Sequence, residues 1–569
     1  MGKHYVLRKG QIVYYVIDVD EKGSRTMINK NLIFTLVLFA AGASGCTFNL
    51  GSSLSSLDSS SSESVSSSLE TSASESSSLV SVSSSESSSS ASSSATSETM
   101  ALVSSQEFYD FFNPTTVLNF NLTATYENLK GLQDAYESWT EADNDNYYRA
   151  NLIIDMAPAV GEAKQYTFND VGIRMKGNTS RRSFMDGSGG LYALIHYKIS
   201  FSEFVSKRTF LGMTKIDIKW NKNLDGTQIR QTHAYKMFEA MDVLSPQTTL
   251  TPVTMNITGL PGGGSSVNTL GLYEVIECID KVFIQRRFNI AEAGGNLYKC
   301  GWGAPLNTSE WSGASLSTWN SIDTNGTTYT RKENGLIGIE DLELSYHPAY
   351  DLKTNDSAPN YSDITNLIGF LNSTTSYNNE SKLTQLASMV NIDSFLRLEA
   401  VAYLLGNPDD ARNNYNNYYL YFTKTSNMAY FIPYDWDRCL GVTKDWNPSG
   451  NGMTDINPFA STAAANGSPE VNPLYKFTVI NGGSATYQRQ FADYIRSFMA
   501  STWFDYAVFT DMYHAYYANY ADDVDTFPVG LEYAEWTLGN DAGGNVTIAN
   551  YLTAKKNTTN TYLNAKFPL

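Results

Sequence analysis

Residues 398–441 read LEAVAYLLGNPDDARNNYNNYYLYFTKTSNMAYFIPYDWDRCLG. An apolar helical run stops at Gly406, the residue type that most readily ends a helix. A polar loop follows with Asn407, Asp409, Asp410 and a scatter of asparagines. Two strand-like runs come next, YYLYF and AYFIPY, and the second leads directly into Asp435-Trp-Asp437. Two groups of carboxylates at the ends of secondary elements, joined by a hairpin, suggest a site for a metal ion or a phosphate group.

The surrounding composition narrows the function. The 569-residue chain has a net charge of −18 and a pI near 4.8, so nucleic acid is not an expected partner: phosphate backbones need a basic face. Its 37 tyrosines suit core strands or sugar-stacking surfaces, and composition does not separate the two. The cysteines, Cys46, Cys278, Cys300 and Cys439, fit neither a zinc site nor a dense disulfide framework, and the last three read as buried thiols. Residues 1–46 read as a leader. The apolar run NLIFTLVLFAA (31–41) has the form of a signal-peptide core and is short for a bilayer span. It leads to Ala43-Ser-Gly-Cys46, which resembles a bacterial lipobox and implies lipidation of Cys46. Met27 would make an ordinary signal-peptide start, so Met1 and Met27 both stand as start positions; a plain secretory signal or a membrane anchor are the other readings. All of them put the body outside the cytoplasm, and the expected location is a lipid anchor on a bacterial cell membrane. Residues 47–104 are dominated by serine, cannot bury enough apolar surface to offset chain entropy, and read as a disordered spacer that could also accept phosphate.

The remainder divides into a β-rich part, 105–390, and a helical part, 391–569. Val117–Thr125 and Ala150–Met156 read as strands, as does VGIRMK (171–176), which runs into Gly177-Asn-Thr-Ser180. Small residues, hydroxyls and nearby cations there make a plausible phosphate cradle or an ordinary surface turn. Lys198 lies within the strand Tyr192–Phe201 and needs either a solvent face or an anionic partner. DIKWNK (217–222) is another strand, followed by a helix over Asp225–Met241 and a hairpin around GLPGGGSS (259–266), whose strands span Thr251–Ile257 and Thr269–Ile276. Asn391–Leu405, Tyr475–Met499 and Trp503–Tyr520 read as helical.

Taken in order, IRMKGNTS, YKISF, DIKWNKNLDGTQIRQTHAYKMF, GLYEVIECID, GNLYK, YDLKTN, LLGNPDD…NNYYLY and IPYDWDRCLG resemble the spore coat protein H (CotH) kinase family, over roughly residues 150–499. The resemblance implies an α+β, protein-kinase-like fold with two lobes, β-rich then helical, and transfer of phosphate from ATP to a Ser or Thr hydroxyl with Mg²⁺ or Mn²⁺. It further implies that Arg174, Lys176, Asn178, Thr179 and Ser180 cover the phosphates, that Lys198 contacts them, and that Asp409 or Asp410 is the catalytic aspartate. Asn417, Asp435 and Asp437 stand where metal is held, with Asn414 competing with Asn417. Glu277 is the expected acidic partner of Lys198, with Glu274 and Glu239 as alternatives. These residue types match the chemistry, since phosphoryl transfer asks a protein mainly for positioning and charge neutralisation. A Ser/Thr-rich protein, the chain's own serine tract included, is the expected substrate. Two other readings stand beside this one: a surface adhesin on a kinase-like scaffold, and a metal-dependent glycosyltransferase using Asp435-Trp-Asp437 as a DxD motif.

Overall fold

The computed structural model describes residues 100–138, 146–177, 180–301, 304–307, 337–339, 348–442, 451–460, 472–524, 536–539 and 546–568, and the backbone of strands at 2–8, 11–19, 25–29, 317–322 and 328–333. The apolar run 31–41, Cys46, the serine tract, Asn178 and Thr179 lie outside the described residues. The chain separates into two compact units, Met1–Ser92 and Ser93–Leu569. In the first, Gly2–Arg8 (β1), Gln11–Val19 (β2) and Arg25–Asn29 (β3) form an antiparallel sheet. No described helix is long and apolar enough to cross a membrane.

The second unit begins with a closed barrel. Its strands are Val117–Thr125 (β4), Tyr148–Ala157 (β5), Lys164–Lys176 (β6), His196–Ser200 (β7), Lys215–Trp220 (β8), Thr248–Thr258 (β9) and Ser265–Glu277 (β10). They run in the order β10-β8-β7-β6-β5-β4-β9, and β9 pairs with β10 to close the ring. Every pairing is antiparallel except β4 with β9, which is parallel. Alternation along β4 buries Leu118, Phe120, Leu122 and Ala124, as a half-buried strand should. The same period holds on β6, β7 and β8, where Ile173, Met175, Tyr197, Ile199, Ile216 and Ile218 join one apolar cluster. The opposite face of those strands carries Arg174, Lys176, Lys198, Asp217 and Lys219, and the site grows from it.

A second sheet, in the order β14-β15-β11-β16-β17, consists of Leu297–Cys300 (β11), Ile337–Gly338 (β14), Tyr350–Leu352 (β15), Tyr418–Phe422 (β16) and Ala429–Pro433 (β17); β12 and β13 are a separate pair at Ser317–Ile322 and Thr328–Glu333. The Ile392–Leu405 helix packs on β17 and is buried on nearly every side. It is capped at its start by the Asn391 side chain, which accepts from Ser394 N, and at its end by Gly406 in the left-handed conformation. Around it gather the helices Pro473–Phe477, Ala485–Met499, Tyr506–Val524 and Ile548–Lys566. The apolar cluster they share runs from Ile229 to Leu563, so residues on both sides of position 390 build it. The α+β class agrees with expectation. Closure into a seven-stranded barrel is a correction to the plain β-rich half: it depends on β4 meeting β9, which no local pattern encodes.

Candidate active site

The ladder register sets the first half of the site. Lys198 on β7 stands opposite Asp217 on β8 and Arg174 on β6, and Lys176 stands opposite His196. Lys198 Nζ lies 2.8 Å from Asp217 Oδ1 and Lys176 Nζ 3.3 Å from Oδ2. Asp217 is buried, which by itself would raise its pKa, but the two ammonium groups outweigh burial and hold it well below the usual carboxylate range. The Cys278 thiol sits between the pair, 3.4 Å from Lys198 Nζ and 3.4 Å from Asp217 Oδ1, and burial pushes it up to about 12. Lys198 therefore has the anionic partner its strand position requires.

That partner is not Glu277, and this corrects the expectation. Arg286 (3.1 Å) and Arg287 (2.7 Å) hold the Glu277 carboxylate, which also accepts from Gln247 N. Neither alternative serves: Glu274 accepts from Gln231 and Thr232, while Glu239 pairs with Lys236 and Gln247. Asp217 and Lys219 are the alternate residues of Asp217-Ile-Lys219 in DIKWNK, and period two places both on the charged face. That alternation was the available signal.

The second half comes from two loops. After Gly406 the chain turns through Asn407–Asn417. Asp409 Oδ1 accepts from Asn414 Nδ2 (2.6 Å) and Asn416 Nδ2 (3.3 Å), and the Asn417 side chain donates to the Asp409 carbonyl (2.8 Å). Burial raises the Asp409 pKa, opposed by the Asn414 hydrogen bond. Asp410 differs. It is buried, its Oδ1 accepts from Arg412 N (3.0 Å) and Asn413 N (2.7 Å), and burial lifts it to about 7. It pins the turn, whereas Asp409 is only partly buried. Of the two aspartates, Asp409 is the one presented.

The other loop follows β17. Asp435 takes a left-handed backbone (φ 58°), and its N–H donates to the Tyr235 hydroxyl (2.9 Å). The Lys219 ammonium bridges Asp435 Oδ1 and Asp437 Oδ2, the latter at 3.1 Å. Desolvation works to raise the Asp435 pKa, and Lys219 and then Lys176 reverse it, leaving the carboxyl well below its ordinary value. Trp436 points the other way and packs edge-on against Phe238 at 4.7 Å. The loops meet: Asn407 Nδ2 reaches the Asp435 carbonyl (3.4 Å), and Tyr434 N donates to the Asn417 carbonyl (3.2 Å). Beside Lys219 and Asp437 opens a small cleft with Glu274 on its wall, raised to about 7 by burial.

Lys176, Lys198, Asp435 and Asp437 thus come together with Asp409 and Asn417, joined by Asp217 and Lys219. Ser180 lies in the turn beyond β6, and Arg174 faces Lys198 across the ladder. No group of three or more His, Cys, Asp or Glu able to hold a metal ion occurs among the described residues. Two carboxylate oxygens converging on one cation, with a nearby amide, are nevertheless the hard-oxygen donors that Mg²⁺ or Mn²⁺ prefers. The fit holds provided the Lys219 ammonium yields its position.

A search of curated proteins gave no match. Comparison with known families matches residues 173–528 to CotH, described as CotH kinase protein. The match runs from the last residues of β6 through the Tyr506–Val524 helix, and takes in every side chain assembled at this site. With more than half its length covered, the chain belongs to the CotH kinase family.

Proposed function

We propose that the protein transfers the γ-phosphoryl group of ATP to a Ser or Thr hydroxyl in a metal-dependent reaction, on a two-lobed kinase-like frame. The observation that carries this reading is the meeting of three sets of groups. A lysine pair on β6 and β7 shares Asp217, two carboxylates converge on Lys219, and Asp409 is oriented by side-chain amides. Asp217 keeps Lys198 and Lys176 charged and aimed, ready to meet phosphate oxygens, with Arg174 facing Lys198 across the ladder. Asp409 receives or orients the acceptor hydroxyl proton, and Asn414 and Asn416 keep its carboxylate from rotating. Asp435, Asp437 and Asn417 would hold a divalent cation, which when bound neutralises charge on the phosphates. Lys219 would then release one or both carboxylates and could itself face the phosphates.

The test is phosphate transfer from labelled ATP to a Ser-rich peptide by the full-length protein, with Mg²⁺ or Mn²⁺. Transfer undiminished in Asp435→Ala would overturn the metal assignment. Absence of ATP binding in a thermal-shift titration with Mn²⁺ would favour the adhesin reading. We extend the proposal to a lipid-anchored, extracytoplasmic enzyme that phosphorylates its own serine tract. Mass spectrometry of the full chain after incubation with ATP tests the second part, and an unmodified tract counts against it.

A further inference from the structure

The family match ends at residue 528, yet residues beyond it touch both loops of the site. Val546 N donates to the Gly441 carbonyl (3.1 Å), at the end of the loop that carries Asp435 and Asp437. Five residues on, the buried Tyr551 donates its hydroxyl to the Leu404 carbonyl (2.9 Å), in the last turn of the helix that leads to Asp409. Such terminal carbonyls have no partner within their own helix, so the tyrosine supplies one. Both loops are cut to admit this segment. A Cβ on Gly406 would lie 2.3 Å from the Tyr551 hydroxyl, and one on Gly441 would lie 2.8 Å from Val546 Cβ and 3.3 Å from the Tyr551 ring. Both glycines also have positive φ, 63° and 89°. The loops are tied to each other by Leu440 N donating to the Leu405 carbonyl (2.8 Å). One turn further along the helix, buried Lys555 donates to the Met453 carbonyl (2.8 Å) and lies 3.8 Å from the centre of the Tyr403 ring. At the start of the Arg230–Ala240 helix, Arg230 donates to the Val546 carbonyl (2.9 Å) while paired with Asp225 (3.0 Å).

We infer that residues 546–555 form a clasp that sets the spacing between the Asp409 loop and the Asp435 loop, with Tyr551 as its positioning residue. This rests on the phosphotransfer reading for its consequence, and on geometry alone for its existence. Phosphoryl transfer tolerates little displacement of the groups around the moving phosphate, so slack in the clasp should lower turnover and leave ATP capture by Lys198 on the barrel largely intact.

The experiment compares full-length wild type with Tyr551→Phe, Lys555→Met and, on the exposed side of the same helix, Asn557→Ala. Hydrogen–deuterium exchange is expected to speed up about fivefold or more over residues 404–417 and 438–442 in Tyr551→Phe, with β7 unchanged. In the transfer assay, kcat is expected to fall about tenfold and KM for ATP to stay within about twofold. Asn557→Ala should match wild type in both. Unchanged exchange in the two loops of Tyr551→Phe, or exchange rising equally in β7, overturns the clasp. So does loosening by Asn557→Ala as large as that by Tyr551→Phe. The exchange arm needs no turnover. A wild-type protein that transfers no phosphate therefore counts against the kinase reading, while exchange still decides the clasp.

Discussion

The two halves of the site are built by different means. On the barrel, Lys176, Lys198, Asp217 and Lys219 hang from hydrogen-bonded strands, and cross-strand register alone brings Lys198 to Asp217. In the loops, Asp409 and Asp435 owe their places to side-chain amides, a tyrosine hydroxyl and glycines. Unfavourable backbone collects there too: Tyr415, Asn417, Asp435 and Leu440 have φ of 54°, 58°, 58° and 54°. Within the barrel half Asp217 serves both Lys176 and Lys198, while Lys219 takes its counter-charges from the loops, so this half should resist disturbance until a charge is left alone. The loop half is held by many small contacts, and it is where residues outside the family match intervene.

The largest expected effect breaks the barrel half. Asp217→Ala removes the ion-pair partner of buried Lys176 and half-buried Lys198 and should cost about 3–5 kcal/mol, read as a drop in the urea midpoint. Asp409→Asn should do the reverse. Turnover should fall by about 10²–10⁴-fold with the urea midpoint nearly unmoved, because the amide keeps the carbonyl that Asn414 donates to. Comparable losses of stability in the two variants would erase the distinction between the halves. Next in size is Gly406→Ala, which forces a side chain into left-handed backbone and against Tyr551. A loss of about 1–3 kcal/mol is expected, and a neutral result would mean the cap is not tight.

The smallest effects concern pH, and the paired aspartates of both halves should differ in sign from the buried Glu399. Asp217 and Asp435 are depressed, so they contribute stability above their unfolded pKa and lose it as pH falls through their folded values, in the acid range below about 4. Glu399, buried behind the Asp409 loop and donated to by Tyr475, is raised to about 8 by burial. Its neutral form contributes stability below about pH 4.5, which drains away as pH rises towards 8. Urea midpoints of Glu399→Gln at pH 5 and pH 8 should therefore differ less than those of wild type. An identical pH dependence would remove Glu399 from the account.

Much was legible from local pattern. Alternation marked β4 to its ends, Gly406 marked the end of its helix, and the polar loop and Asp435-Trp-Asp437 were recognisable as a pair of carboxylate groups. Which aspartate of Asp409 and Asp410 faces the site was not, because adjacent residues in a turn differ only in where the turn points them. Lys219 passed as an ordinary strand residue, since its partner lies 216 positions away. The Ile548–Lys566 helix also escaped notice. Its polar residues, among them the buried Lys555 and Thr559, blur the apolar stripe that would announce it.

By itself the sequence determined the chemistry on offer: the lysines on the strands, the aspartates at the element ends, the glycines that bend the chain, and the family they belong to. Only the tertiary structure decided the pairings. Asp217 rather than Glu277 meets Lys198, Lys219 joins Asp435 to Asp437, and Tyr551 spans Gly406 and Gly441. The physical reason is that residue type and spacing govern local backbone geometry, whereas a buried charge takes whichever partner barrel closure and helix packing bring within a few ångströms.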